Sequence, residues 1–116
     1  MVSRVGRRFF SLHEARELLP TVKRLTAEAV RNAESLVARL QKMDEADPEH
    51  EHLNTELERV VAGWTKTMHE MSLEVKGLWL VDFDNGDGFY CWSYPEDNVG
   101  HYHGYDEGFA GRMKIV

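Results

Sequence analysis

Two long stretches of helical apolar periodicity, separated by a short acidic segment, constrain the fold of this 116-residue chain more than any other feature. In each stretch the apolar residues recur at three- and four-residue spacing, as they do along one face of a helix. The first stretch contains Val22, Ala29, Ala33, Leu36, Leu40 and Met43, and the second contains Leu53, Leu57, Val60, Val61, Trp64, Met68 and Met71. The pattern predicts two helices of about 25 residues that pack as an antiparallel hairpin.

The start of the first helical stretch carries a capping signal followed by a proline. Ser11 and Glu14 have the S-x-x-E spacing of a capping box, in which each side chain accepts a hydrogen bond from a backbone N–H of the first turn. Pro20 lacks an N–H and disfavours helical geometry in the residue before it. The sequence therefore predicts a short helical turn over residues 12–19 and a long helix that begins at Pro20.

The second helix has clear signals at both ends. Asp47 is a typical N-cap residue, and Pro48 suits the first position of a helix. Gly77 suits the left-handed conformation that often follows the last helical residue. These signals place the predicted helical hairpin within residues 11–75.

The segment after Gly77 has the pattern of a β-hairpin. In LWLVDFDNGDGFYCWSY, residues 78–94, two runs rich in aromatic and β-branched residues flank Asn-Gly and Asp-Gly, which favour hairpin turns. GHYHGY, which starts at Gly100, is expected to add a third short strand. The sequence therefore predicts one α+β domain over residues 1–116: a helical hairpin, a β-hairpin over 78–94, and a C-terminal loop or short strand over 95–116. The β-hairpin and the short strand would form a small antiparallel sheet of two or three strands.

The length of the helical hairpin predicts self-association. At 1.5 Å per residue, each helix is roughly 36 Å long, which exceeds what the remaining forty or so residues easily cover. Pairing two hairpins into a four-helix bundle would bury the broad apolar stripes. The sequence therefore predicts a homodimer, and it also leaves open an unidentified protein partner.

Charge and composition exclude several classes of function. Residues 46–116 contain five Lys and Arg against fourteen Asp and Glu, which argues against nucleic-acid binding. No stretch approaches the roughly 20 apolar residues of a membrane span, and the N-terminus lacks the apolar run of a signal peptide. Cys91 is the only cysteine, so no disulfide forms within the chain. A cytoplasmic protein that binds neither nucleic acid nor membrane is expected.

Several motifs together are similar to those of a known family. They are FFSLHEARELLP at the first helix, GLWLVDFD, FYCW, and HYHGYDEGFAGR near the C-terminus. The chain resembles a family of small bacterial proteins called domain of unknown function 2203, most strongly over residues 77–112. The resemblance implies this architecture and a bacterial origin but no activity. Tyr102-His103 and Gly108 to Arg112 match the family pattern, whereas His101 is not part of it.

The same C-terminal stretch contains a candidate metal site. His101 and His103 are two residues apart, so both side chains project from one face of an extended strand. With Glu107 four residues later, they form a His-x-His-x₃-Glu set suited to Zn²⁺ or another divalent transition metal. Asp106 or the thiol of Cys91 could complete the coordination.

Two further interpretations concern the neighbouring residues. Asp82 and Arg112 lie next to apolar residues and are predicted to form a structural ion pair that ties the C-terminus to the sheet. A catalytic couple of Cys91 and His103 across neighbouring strands is conceivable, although a buried inert thiol is the commoner outcome.

These observations leave the biochemical function and any enzymatic activity open. The leading hypothesis is a non-enzymatic oligomerisation or interaction module, because the helical stripes are the largest signal. The alternative is a divalent-metal protein that uses His101, His103 and Glu107, with catalysis at an open coordination position. An enzyme that acts without metal is the third hypothesis. The sequence identifies no substrate, catalytic residue or cofactor-binding residue.

Overall fold

The computed structural model describes residues 8–116 and confirms the α+β architecture, a helical hairpin followed by an antiparallel sheet. Helix α1 spans Leu12–Gln41 and helix α2 spans Pro48–Glu70. Within the described residues the sheet has five strands in the order of the chain: β1 Glu74–Gly77, β2 Leu80–Asp84, β3 Gly88–Ser93, β4 His101–Gly104 and β5 Met113–Lys114. All neighbouring strands are antiparallel.

Helix α1 begins as predicted but continues through Pro20. The capping box is present, because Ser11 Oγ accepts from the Glu14 N–H and Glu14 Oε1 accepts from the Ser11 N–H. The predicted break at Pro20 is wrong, since the proline lies inside one continuous helix. Leu19 and Val22, on either side of it, are buried in the core. Their packing outweighs the hydrogen bond that the proline removes.

The start of helix α2 is also as predicted, whereas its end is earlier. Asp47 caps the helix by accepting from the Glu49 N–H, and Pro48 occupies the first position. The helix ends at Glu70, and Ser72 adopts a positive φ of 67° in the turn that follows. Residues 74–77 form the edge strand β1, so the sheet has more strands than the two or three expected.

The two faces of the sheet differ in chemistry. One face packs on the helices, where Val81, Phe83 and Trp92 join a core cluster that includes Phe10, Leu19, Val22, Trp64 and Met68. Asp82 pairs with Cys91 across β2 and β3, and Cys91 pairs with His101 across β3 and β4. Because successive residues of a strand alternate between faces, these side chains lie on the face opposite the helices.

The C-terminal segment, residues 105–112, covers this second face. Tyr105 packs edge-on against Phe89 with ring centroids 5.1 Å apart. Farther along the segment, Arg112 lies over the ring of Phe109, 4.1 Å from its centroid, and contacts the sheet. This cover explains how polar side chains on the outer face become buried.

The helical hairpin extends beyond the core cluster that it shares with the sheet. The members of the core cluster end at Ala29 in α1 and begin at Trp64 in α2. The half of the hairpin nearest the α1–α2 turn, here called the distal half, therefore lies beyond that cluster. Neither of the helices in the described residues is long and apolar enough to cross a membrane.

Candidate functional site

A buried polar cluster on the outer face of the sheet is the most unusual chemical feature of the described residues. Asp82 of β2, Cys91 of β3 and His103 of β4 each offer a donor atom, and the three atoms lie within 4.8 Å of one another. All three residues are buried, with 0%, 0% and 3% of their surface exposed. Buried polar groups usually have a structural or chemical reason to be there.

Strand pairing places His103 in this cluster. His103 pairs with Phe89 of β3, and Gly88 lies beside the same stretch of β4. A Cβ atom at position 88 would lie only 2.6 Å from the backbone oxygen of His103, so glycine permits the close approach of the two strands. The neighbouring backbone therefore helps to set the position of the imidazole.

Both ring nitrogens of His103 are engaged. Nδ1 lies 2.9 Å from the carbonyl oxygen of Gly104. A carbonyl can only accept, so Nδ1 carries a proton and donates it. Nε2 lies 3.0 Å from Oδ2 of Asp82, and a single proton joins the two atoms. Neither nitrogen is left to act as a base toward Cys91.

The surroundings of Asp82 disfavour the charged form of its carboxyl group. Its Oδ1 atom is buried and has no hydrogen-bond partner among the residues that the structure describes. Burial raises the pKa of Asp82 above its ordinary value. The positive charge of His103, the polar contact with the Cys91 thiol and the positive charge of Lys76 each lower this pKa in part. A buried carboxylate with an unsatisfied oxygen favours any positive charge that reaches it, whether proton or cation.

Cys91 is a protonated thiol in this environment. Burial, followed by the negative charge of Asp82, raises its pKa to about 12, and the hydrogen bond from Arg112 only partly opposes this. Arg112 Nη1 lies 3.9 Å from the sulfur. A thiol with such a pKa is a poor nucleophile at neutral pH, which argues against the Cys91–His103 catalytic couple.

The structure does not bring the three predicted metal ligands together. Of the set His101, His103 and Glu107, only His103 belongs to the buried cluster. His101 lies on the other side of Cys91, with Nδ1 3.9 Å from Glu96 Oε2. Glu107 accepts a hydrogen bond from the Gly104 N–H at 2.7 Å. Metal binding itself stays a prediction.

The ion pair predicted between Asp82 and Arg112 needs a correction. Arg112 forms a two-point ion pair with Glu96 instead, with an Nη1–Oε1 distance of 3.1 Å, while Asp82 contacts His103. Arg112 thus links the C-terminal segment to the turn that follows β3, and it also contacts Cys91 of β3. Glu96 was not identified from the sequence, because it lies in an irregular turn and only the fold brings it near Arg112.

A second candidate site is an apolar groove at the corner between the distal half of the hairpin and the end of the sheet. Its volume is about 440 Å³, and its walls include Val30, Val37, Leu57, Val61, Leu78 and Trp79. Leu78 is 63% exposed at the rim, and Trp79 has a positive φ of 64°, which is rare for a bulky residue. Trp79 is held there by an edge-on contact with Trp64, with centroids 4.9 Å apart.

Comparison with family models identifies a match. The family described as Uncharacterized conserved protein (DUF2203) matches residues 8–115. Comparison with curated proteins and with solved structures gives no significant match. Because the family match covers nearly the whole chain, including the helical hairpin, the sheet and the C-terminal segment, the protein belongs to the DUF2203 family.

Proposed function

We propose that this protein is a non-enzymatic interaction module that assembles as a homodimer through the apolar groove. The observation that carries the proposal is the groove itself, with Leu78 exposed at its rim. A contiguous apolar surface that is rimmed by polar residues commonly marks a contact site between proteins.

A second copy of the chain is the occupant that best fits the shape of this surface. The distal half of the hairpin lies beyond the core cluster, and the groove runs along it from Val30 to Gln41. In a two-fold dimer the same patch contacts itself, so each distal half can pack into the corner of the other copy. Two helical hairpins joined in this way form a four-helix bundle, a common arrangement for such elements.

The size of the patch predicts a dimer of moderate affinity. Beyond the core cluster, 12 residues of α1 and 16 residues of α2 span about 18 and 24 Å, and two helices side by side are about 20 Å wide. One face of such a patch covers about 400 Å², so two copies bury about 800 Å² in total, and somewhat more with the Leu78–Trp79 turn, which is below the 1,200–2,000 Å² typical of stable interfaces. We therefore expect a dissociation constant in the micromolar range.

The chemistry of the buried cluster supports a role without catalysis. His103 has no free ring nitrogen, and the Cys91 thiol stays protonated near neutral pH because its pKa is raised to about 12. A nucleophile needs an adjacent base or a lowered pKa, and neither is found among these residues.

Substitution at the rim of the groove tests this proposal. Leu78→Asp places a charge at an already exposed position, so the fold of the monomer should survive while the interface is lost. Light scattering coupled to size-exclusion chromatography should give a dimer for the wild type and a monomer for the variant. Far-ultraviolet circular dichroism should show the same helix content for both.

Met113→Asp is the matched control, because Met113 is an apolar side chain of 46% exposure on the edge strand β5, away from the groove. This variant should remain dimeric. A wild type that is monomeric throughout, or a Met113→Asp variant that dissociates as readily as Leu78→Asp, would contradict the proposal. A Leu78-dependent complex with a different protein, in place of self-association, would support an interaction module but not a homodimer.

A further inference from the structure

The pair of Asp82 and His103 requires a positive charge between its facing atoms. Nδ1 of His103 donates to Gly104, so Nε2 points at Oδ2 of Asp82 from 3.0 Å. In the protein without metal, one proton occupies this position. A metal cation bound by both atoms could take the place of this proton, because a neutral imidazole nitrogen and a carboxylate oxygen are both good metal ligands.

The remaining oxygen of Asp82 is an independent sign of a missing partner. Oδ1 is buried, belongs to a fully buried residue and has no hydrogen-bond partner among the described residues. An unpaired buried acceptor of this kind destabilises a folded protein, because it has lost its hydrogen bonds to water and gained none. Folded proteins seldom keep such a group unless something binds it.

Cys91 supplies a third donor on the same face. Its pairing with Asp82 in the sheet brings the sulfur within 4.8 Å of the other two donor atoms. Zinc bonds of about 2.0–2.3 Å place tetrahedral donors roughly 3.3–3.8 Å apart, so side-chain adjustments of about 1 Å would suffice. Sulfur, nitrogen and oxygen donors together suit Zn²⁺ better than Ca²⁺ or Mg²⁺, which prefer oxygen alone.

We propose that Asp82, Cys91 and His103 bind one zinc ion, at a structural site that joins three strands of the sheet. On binding, zinc replaces the thiol proton of Cys91 and the proton between Asp82 and His103, and both protons leave to the solvent. These three ligands thus differ from the predicted set of His101, His103 and Glu107, with which they share His103.

The surroundings of the cluster fit this role. The hydrogen bond from Nδ1 of His103 to the Gly104 carbonyl is the contact that usually orients a metal-binding histidine. Arg112 lies 3.9 Å from the sulfur and would favour a thiolate. A cavity of about 210 Å³ adjoins the cluster and is also lined by Glu107 and Phe109, which leaves space for a water molecule or the Glu107 carboxylate as fourth ligand.

The test uses the full chain without a polyhistidine tag, first treated with a chelator and then titrated with ZnCl₂ in a calorimeter. One ion per chain should bind. Removing a ligand should lower the affinity at least about 100-fold in Cys91→Ser and in Asp82→Asn, since even outer contacts of metal sites are worth 10–100-fold. The matched control is His101→Ala, on the same strand and outside the cluster, which should bind zinc within about threefold of the wild type.

A spectroscopic measurement on the wild type keeps the test independent of whether the variants fold. Co²⁺ bound to a thiolate absorbs strongly in the near ultraviolet, and Cys91 is the only cysteine of the chain. We expect this absorption on adding CoCl₂ and its loss on adding ZnCl₂. The proposal is overturned if the wild type shows no thiolate absorption, if it takes up no zinc, or if folded Cys91→Ser binds zinc as tightly as the wild type.

Discussion

The hydrogen bond between Trp64 and Thr26 connects the two helices inside the core, and it offers a quantitative test of how the hairpin is held together. Trp64 Nε1 donates to Thr26 Oγ1 at 2.9 Å, and Thr26 is fully buried while Trp64 is 5% exposed. Trp64 also supports Trp79, which forms part of the groove. Breaking this bond should therefore lower the stability of the fold and loosen the groove.

The expected loss of folding free energy in each variant depends on which buried polar group the substitution leaves without a hydrogen-bond partner. Thr26→Val removes the acceptor and strands a buried indole N–H, at a cost of about 1–3 kcal/mol. Trp64→Phe removes the donor and leaves a cavity, so it should cost at least about 2 kcal/mol. The double variant has neither unpaired group. Its loss of stability should be smaller than the sum of the two single losses by at least about 1 kcal/mol.

Urea unfolding followed by circular dichroism measures these free energies. All four proteins must be compared at one chain concentration, because dimerisation adds to apparent stability. If the two single losses of stability simply add, the indole and the hydroxyl do not stabilise each other in the folded protein, contrary to this prediction.

Two further predictions concern the outer face of the sheet. Burial opposes ionisation of Glu96, but hydrogen bonds from Arg112 and the Ser93 N–H lower its pKa below the ordinary 4.5 overall. This carboxylate therefore stabilises the fold above about pH 4.5, and its contribution disappears as the pH falls through the lower pKa of the folded protein. Denaturation curves from pH 6 to 3 should accordingly show a shallower loss of stability in Glu96→Gln than in the wild type, and parallel curves would contradict the pairing with Arg112. For Cys91, whose pKa is raised to about 12, iodoacetamide at pH 8 should label the native protein at least 100-fold more slowly than the urea-unfolded chain, and equal rates would contradict its burial.

The features that were predictable from the sequence depend on neighbouring residues. The capping box of Ser11 and Glu14, the Asp47 cap and the hairpin turn between β2 and β3 all rest on contacts a few residues apart. The break expected at Pro20 was wrong because contacts between the helix and the sheet decide whether the helix continues. Strand β1 was missed because Glu74–Gly77 is short, largely exposed and without an apolar alternation.

The buried cluster was only partly predictable for a similar reason. A single acid between apolar residues in LVDFD, a cysteine in FYCW and a histidine in HYH each suggested a polar position on a strand. Their meeting depends on the register of three strands, which the sequence does not reveal. The two-residue spacing along β4 favoured His101 as the second metal ligand beside His103. In the folded sheet His103 instead contacts Asp82 of β2 and lies near Cys91 of β3.

Sedimentation equilibrium of the wild type shows whether the groove joins two copies of the chain in solution. Between 1 and 200 µM, a range on the order of the expected micromolar dissociation constant, the weight-average mass should rise from the 13.4 kDa of one chain toward twice that value. The data should fit a monomer–dimer equilibrium. A mass that stays at 13.4 kDa at every concentration would contradict dimerisation through the groove.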